Sequence, residues 1–242
     1  MSGHSKWSTI KRKKEKTDNA RAKVFTKIGR EIAVAVKAGG ADPAGNSKLK
    51  DCIAKAKANN VPNDNIERTI KKASSADAAA LEEMKYEGYG PGGVAVIVTA
   101  ATDNTNRTTP EIRSYFSKYK GNLGTTGCVS YLFEDKGVIM LSMEEGYDED
   151  ALMEASLEAG AVDFIADEDA YVVYTEDSDL EIVAEALEKA GFKYVTAEHD
   201  KIPSNYVTLE SEDDIKYMNL LIEHLEDNDD VTEVYHNWEN CD

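Results

Sequence analysis

The order of apolar periodicities between residues 134 and 200 constrains this chain more than any single motif. Val138-Ile139-Met140-Leu141 reads as a strand, 150–159 carries helical spacing, and Val162-Asp163-Phe164-Ile165 and Tyr171-Val172-Val173-Tyr174 read as two more strands. A second helix over 180–190 and a strand at Tyr194-Val195-Thr196 follow. This β-α-β-β-α-β succession is the ferredoxin-like split unit, complete in itself. Its flanks are therefore left to pair with each other. On one side stand a strand at 94–99, a helix opened by Thr109-Pro110-Glu111 and a strand at 129–133; on the other a strand at 206–209, a helix over 212–225 and a strand at 231–235. The predicted fold is α+β: a three-helix N-terminal domain over 1–80, a discontinuous ferredoxin-like α/β domain over 81–133 and 201–242, and a second one inserted at 134–200. The Ala-, Ser- and Asp-rich stretch from Ala73 to Leu81 reads as the linker between the first two.

Charge divides the chain at the same place. The first 72 residues hold 18 Lys and Arg against 7 Asp and Glu, a balance of +11, whereas the rest holds 10 against 39, a balance of −29; the net −18 of the 242 residues conceals this. A basic module joined to an acidic body points to a polyanionic partner. Within the module, Val24, Phe25, Ile28, Ile32, Ala35 and Val36 recur on one helical face, Lys23, Lys27, Arg30 and Lys37 cluster nearly opposite, and Gly39-Gly40 stops the helix. The second helix runs from about Ser47 to Ala58, with Asn46 as cap, Leu49, Cys52, Ile53 and Ala56 inward and Lys48, Lys55 and Lys57 outward. After Val61-Pro62 a third buries Ile66 and Ile70 and exposes Arg68, Lys71 and Lys72.

Ahead of the bundle, the arm from Lys6 to Lys14 mixes an aromatic with a basic run too polar to bury itself, a composition that orders on nucleic acid. Trp7 either stacks on an unpaired base or staples the arm to the bundle beside Ile10. The candidate nucleic-acid-binding set is thus Lys6, Trp7, Lys11, Arg12, Lys13, Lys14, Arg21, Lys23, Lys27, Arg30, Lys55, Arg68, Lys71 and Lys72. Lys23, Lys27 and Arg30 are expected on one exposed face, touching phosphates rather than base edges. The alternative is a merely solvating set of cations.

Other motifs carry less. The loop Gly88-Tyr89-Gly90-Pro91-Gly92-Gly93 leads into a strand, whereas nucleotide-binding glycine loops open a helix. It reads as a tight turn, or as a close approach to an RNA or protein backbone with Tyr86 and Tyr89 interleaved. Asn104, Asn106, Arg107 and Thr108 precede a helix start and serve as capping residues or an anion site. Tyr89, Asn104, Asn106 and Arg107 are therefore secondary candidates. The four histidines have no ligand spacing, no hydrolase or nucleotide-binding pattern occurs, and acidic runs such as 167–169 and 227–230 read as solvated turns. No catalytic residue, metal or cofactor is expected. Cys52, Cys128 and Cys241 lie far apart, which suits a reducing compartment, and the absence of a long apolar run leads to the expectation of a cytoplasmic protein without a membrane partner; with no zipper or evident dimer helix, a monomer is expected.

Gly3-His4-Ser5-Lys6-Trp7, Ile10-Lys11, Phe25-Thr26-Lys27, and Asp64-Asn65-Ile66-Glu67-Arg68 with Ile70-Lys71-Lys72 resemble the YebC family. So do 86–94, Asp103-Asn104, Asn106-Arg107-Thr108, Gly121-Asn122-Leu123-Gly124 and Gly127. Asn63 and Ala73 depart from the lysine and glycine that relatives commonly carry there. The resemblance implies a helical domain with two α/β domains, and a regulator: the family is mostly described as DNA-binding transcriptional regulators, while some members, mitochondrial ones included, are associated with translation and the ribosome. The sequence favours a non-enzymatic translation factor on ribosomal RNA, because the acidic body is repelled by a long duplex and no dimer helix is evident. DNA-binding regulation of transcription is the alternative.

Overall fold

The computed structural model describes residues 18–75, 80–167 and 169–240, those at 18–21 by backbone alone. Three helices open it: α1 (Asp18–Gly39), α2 (Ser47–Ala58) and α3 (Asn63–Ala73). Their shared core is Ile28, Ile32, Ala35, Val36, Leu49, Cys52, Ala56 and Ile66, the residues that helical spacing places on facing stripes. Asn46, 6% exposed, accepts from the Leu49 amide at 3.1 Å while its own amide donates to the carbonyls of Ala35 and Gly40 at 2.8 Å each, tying the end of α1 to the start of α2.

Strands β1 (Glu82–Tyr89) and β2 (Ala95–Thr102) follow as an antiparallel hairpin, then α4 (Thr105–Lys118) and the two-residue β3 (Asn122–Leu123). The next six elements are β4 (Phe133–Ser142), α5 (Glu149–Ala159), β5 (Asp163–Ala166), β6 (Ala170–Glu176), α6 (Leu180–Lys189) and β7 (Thr196–Pro203). Their sheet order, β5-β6-β4-β7, is that of the split β-α-β-β-α-β unit, with Leu152, Val183 and Leu187 packed on Ile139, Leu141 and Val173. Finally α7 (Glu212–Asp227) and β8 (Val231–His236) return to the first sheet, in which the order is β3-β1-β2-β8, all antiparallel. Residues 133–204 make one compact unit; the helical bundle and the discontinuous sheet share the other. The chain is therefore α+β, with a helical domain and two α/β domains, one interrupting the other.

Several local expectations are corrected. No strand covers 129–133: Ser130–Leu132 is a single 3₁₀ turn, and Phe133 already belongs to the inserted sheet. The third strand of the first sheet is β3, and the strand expected at 206–209 reduces to one parallel bridge between Val207 and Trp238. α4 starts four residues before Thr109, so Pro110 lies inside the helix rather than at its first position. β1 had no sequence counterpart; its Glu-rich run is held as a strand by partners on both sides, β2 and β3.

Candidate nucleic-acid interface

The face of α1 expected to be free is instead engaged by the acidic rim of the first sheet. Lys23 Nζ pairs with Asp227 Oδ1 at 2.9 Å, and Lys27 Nζ donates to the Glu226 carbonyl at 2.6 Å, where the C-terminal end of α7 presents negative partial charge. Lys55 on α2 lies between Glu31, at 2.9 Å, and Glu233 of β8. Lys23, Lys27, Arg30 and Lys55 thus do not form a free phosphate-binding face, because carboxylates and carbonyls from the far end of the chain reach them first.

Arg30 enters the most buried part of this contact. Its Nη1 donates to the Ala101 carbonyl at 2.8 Å and pairs with Asp230 Oδ1 at 3.0 Å. The other Asp230 oxygen, Oδ2, accepts from Thr108 Oγ1 at 2.6 Å and Arg107 Nη2 at 2.7 Å, with Thr102 Oγ1 at 3.3 Å. Asp230 is 4% exposed. Burial pushes its carboxyl up, but the hydrogen bonds of Thr108 and Arg107 and the charges of Arg30 and Arg107 outweigh that and hold it below the usual carboxylate range. The run at 227–230 is accordingly not a solvated turn: Asp227 pairs with Lys23, Asp230 is the anchor, and Asn228 reaches Glu111 and Tyr115. No local sequence signal marks Asp230, since its partners on β2 and α4 lie 122 to 128 positions away and Arg30 on α1 farther still.

The secondary candidates resolve in the same way. Asn104 is the cap of α4, accepting from the Arg107 amide at 3.1 Å, and Arg107 is spent on Asp230 and Asp103; Asn106 is exposed beside them. In contrast, Arg68, Lys71 and Lys72 are exposed at i, i+3 and i+4 of α3, one side of one helix. Arg68 reaches only Asn65, at 2.6 Å, and neither Lys71 nor Lys72 makes an ion pair among the described residues. Lys37 and Lys57 are likewise exposed without an ion pair there. Lys6, Trp7, Lys11, Arg12, Lys13 and Lys14, and the side chain of Arg21, lie outside the described residues.

The glycine-rich loop is explained from within. A Cβ on Gly88 meets the Asn122 carbonyl oxygen at 2.5 Å, and one on Gly121 meets that of Tyr89 at 2.7 Å, so these glycines let β3 close on β1. Gly92, at φ 65°, takes the left-handed conformation that the turn requires. Tyr86 is buried, with its hydroxyl 2.8 Å from Thr109 Oγ1, whereas Tyr89 and Tyr131 are exposed. No group of three or more His, Cys, Asp or Glu among the described residues is disposed to hold a metal, and no helix among them is long and apolar enough to cross a membrane.

Fold and charge together define an α+β protein in which a basic helical module is anchored on an acidic sheet. Residues 5–76 match the family model described as the TACO1/YebC protein N-terminal domain, and residues 81–238 match that of the TACO1/YebC second and third domain. The chain belongs to the TACO1/YebC family. It is similar to a "Probable transcriptional regulatory protein" of Acetivibrio thermocellus, 55% identical over 239 residues and covering 98% of this chain and 99% of that one. A protein of the same name from Ruminiclostridium cellulolyticum is 55% identical over 240 residues, covering 99% and 97%. Its fold is similar to the crystal structure of a conserved hypothetical protein from Aquifex aeolicus, with a TM-score of 0.83, 44% identity and coverage of 93% and 92%.

Proposed function

We propose that this chain is a non-enzymatic, cytoplasmic, monomeric nucleic-acid-binding regulator of gene expression that acts as a translation factor on ribosome-associated RNA. The observation that carries the reading is the partition of the bundle's cations. Lys23, Lys27 and Arg30 of α1 neutralise the acidic body, while Arg68, Lys71 and Lys72 stay exposed on α3; the sequence holds a further basic run from Lys6 to Lys14. Such a surface suits phosphates without reading bases. The body's balance of −29 disfavours a long duplex lying across the molecule, and on α1, the longest helix of the basic module, Lys23, Lys27 and Arg30 are engaged by the acidic sheet rather than offered to a major groove. A second reading, DNA-binding regulation of transcription, is favoured by the name that the relatives carry.

Sedimentation of native lysate through a sucrose gradient distinguishes them. The translation reading expects co-migration with ribosomal particles that salt abolishes and that Arg68→Gln/Lys71→Gln/Lys72→Gln weakens. Absence from those particles, with recovery of discrete DNA fragments on the purified protein, establishes the second reading instead.

A further inference from the structure

We propose that Tyr89 and Tyr131 form a stacking platform for an unpaired nucleobase, a second contact for the RNA invoked above and resting on that reading. Side chains alternate along β1. Tyr86 and Gly88 face α4, the first through Thr109 and the second against Phe116, so Lys85, Glu87 and Tyr89 share the opposite face. Across this face runs the segment 124–132, and Glu87 pins it. The Glu87 carbonyl accepts from the Gly124 amide at 2.8 Å, and its carboxylate Oε2 accepts from the amides of Val129 and Ser130 at 3.0 and 2.9 Å. Glu87 is 2% exposed; burial pushes its carboxyl up, yet the backbone amides of Val129, Gly127 and Ser130, with Lys85 beside them, bring it down to about 2. The segment is therefore held by a buried anion that stays ionised across the physiological range.

On this rigid base sit the two rings. The Tyr89 hydroxyl donates to the Cys128 carbonyl at 3.2 Å, and Tyr131 beside it, with burial, pushes that hydroxyl's pKa up. Tyr131 is 72% exposed and Tyr89 36%, and neither ring meets another aromatic ring or a cation among the described residues. A tyrosine ring has few rotatable bonds to immobilise on binding, and a base stacks on such a face whatever its identity. Lys85, on the same strand face, is committed to Glu87, its Nζ 3.4 Å from Oε1, so the platform offers stacking rather than a phosphate contact.

The test uses the full chain and two labelled probes of equal length, a short oligoadenylate and an abasic strand, in an anisotropy titration at several salt concentrations. Tyr131→Ala is expected to weaken oligoadenylate binding about tenfold, within the range for loss of one stacked base, while leaving the salt slope and the abasic affinity unchanged. Tyr131→Trp should retain the affinity. Tyr131→Leu keeps bulk without the π face and should behave like Tyr131→Ala, which separates stacking from loss of local packing; all three should melt with the wild type. Wild-type preference for oligoadenylate in Tyr131→Ala overturns the platform and leaves the basic-surface reading standing. A wild-type chain that binds neither probe at low salt overturns both.

Discussion

Two sets of cations on one small bundle look alike in the sequence and are used differently by the fold. Lys23, Lys27 and Arg30 on α1 recur at helical spacing, as Arg68, Lys71 and Lys72 do on α3. The first set meets Asp227, Glu226 and Asp230; among the described residues the second meets only Asn65, through Arg68, and is otherwise exposed. Lys23 and its carboxylate are 204 positions apart. A basic stripe therefore marks where positive charge stands along a helix, and the tertiary partner decides whether that charge holds the protein together or stays available to another molecule.

The comparison breaks hardest at Asp230. Asp230→Ala leaves Arg30 and Arg107 in place without their shared carboxylate, and removing one member of a buried ion pair costs roughly 3 kcal/mol, toward the low end of its range here because Arg107 is half-exposed. Urea titration of the full chain should show that loss. A loss equal to that of an exposed pair would mean that α1 is not anchored there.

Acid should loosen the Asp230 anchor, and separately the segment pinned by Glu87, without a mutation. Asp230 and Glu87 both have carboxyls held below their ordinary values, so their contribution is fully present above the unfolded pKa and is lost as pH falls through the folded one. For Glu87 the window runs from about 4.5 down to about 2, and for this fully buried side chain the linkage amounts to on the order of 3 kcal/mol. Glu87→Gln should lower stability at neutral pH and flatten the decline across that window, as measured by thermal melts from pH 7 to pH 2. An acid limb as steep as in the wild type would remove Glu87 from the account.

How much was legible follows from where each signal resides. The inserted domain was readable in its order of elements, because the cores of β4 and β6 are apolar runs with clean breaks; its last strand was misplaced, since β7 is the polar run Thr196–Pro203, held by its ladder with β4, and only Thr196 falls within the expected 194–196. α2 was legible to the residue, since Asn46 carries a capping side chain where the apolar spacing begins. β1 was not, because Glu82, Glu83, Lys85 and Glu87 give no strand pattern until β2 and β3 supply the ladders. The apolar residues at 129–133 misled in the other direction: Val129 is buried over Glu87 and Tyr131 is exposed, which is a turn covering a sheet rather than a strand within one. Of the interface, the composition showed that cations were plentiful but not which of them the acidic body would neutralise, since Asp227, Asp230 and Glu233 carry no mark of their distant partners.

Smaller effects sharpen the contrast. Arg68→Gln/Lys71→Gln/Lys72→Gln should leave stability within about 0.5 kcal/mol of the wild type, because these side chains hold no other element in place and Gln is nearly as good a helix former. Lys23→Gln should also stay within about 0.5 kcal/mol, since Lys23 and Asp227 remain 46% and 63% exposed and water screens the pair. A large loss in either denaturation curve would reverse the role assigned to that side chain.

The most direct measurement sets the two faces side by side. The affinity of the wild type, of Lys23→Gln/Lys27→Gln/Arg30→Gln and of Arg68→Gln/Lys71→Gln/Lys72→Gln for one labelled single-stranded RNA is measured at several salt concentrations, with a circular-dichroism melt for each. The α3 variant is expected to melt normally and to flatten the plot of log affinity against log salt by about two units, roughly 0.7 for each phosphate that the protein no longer neutralises. The α1 variant is expected to melt early and, below its melt, to keep the wild-type slope. A normal melt with a flattened slope in the α1 variant, beside an unchanged slope in the α3 variant, would contradict the account and return the nucleic acid to the face of α1.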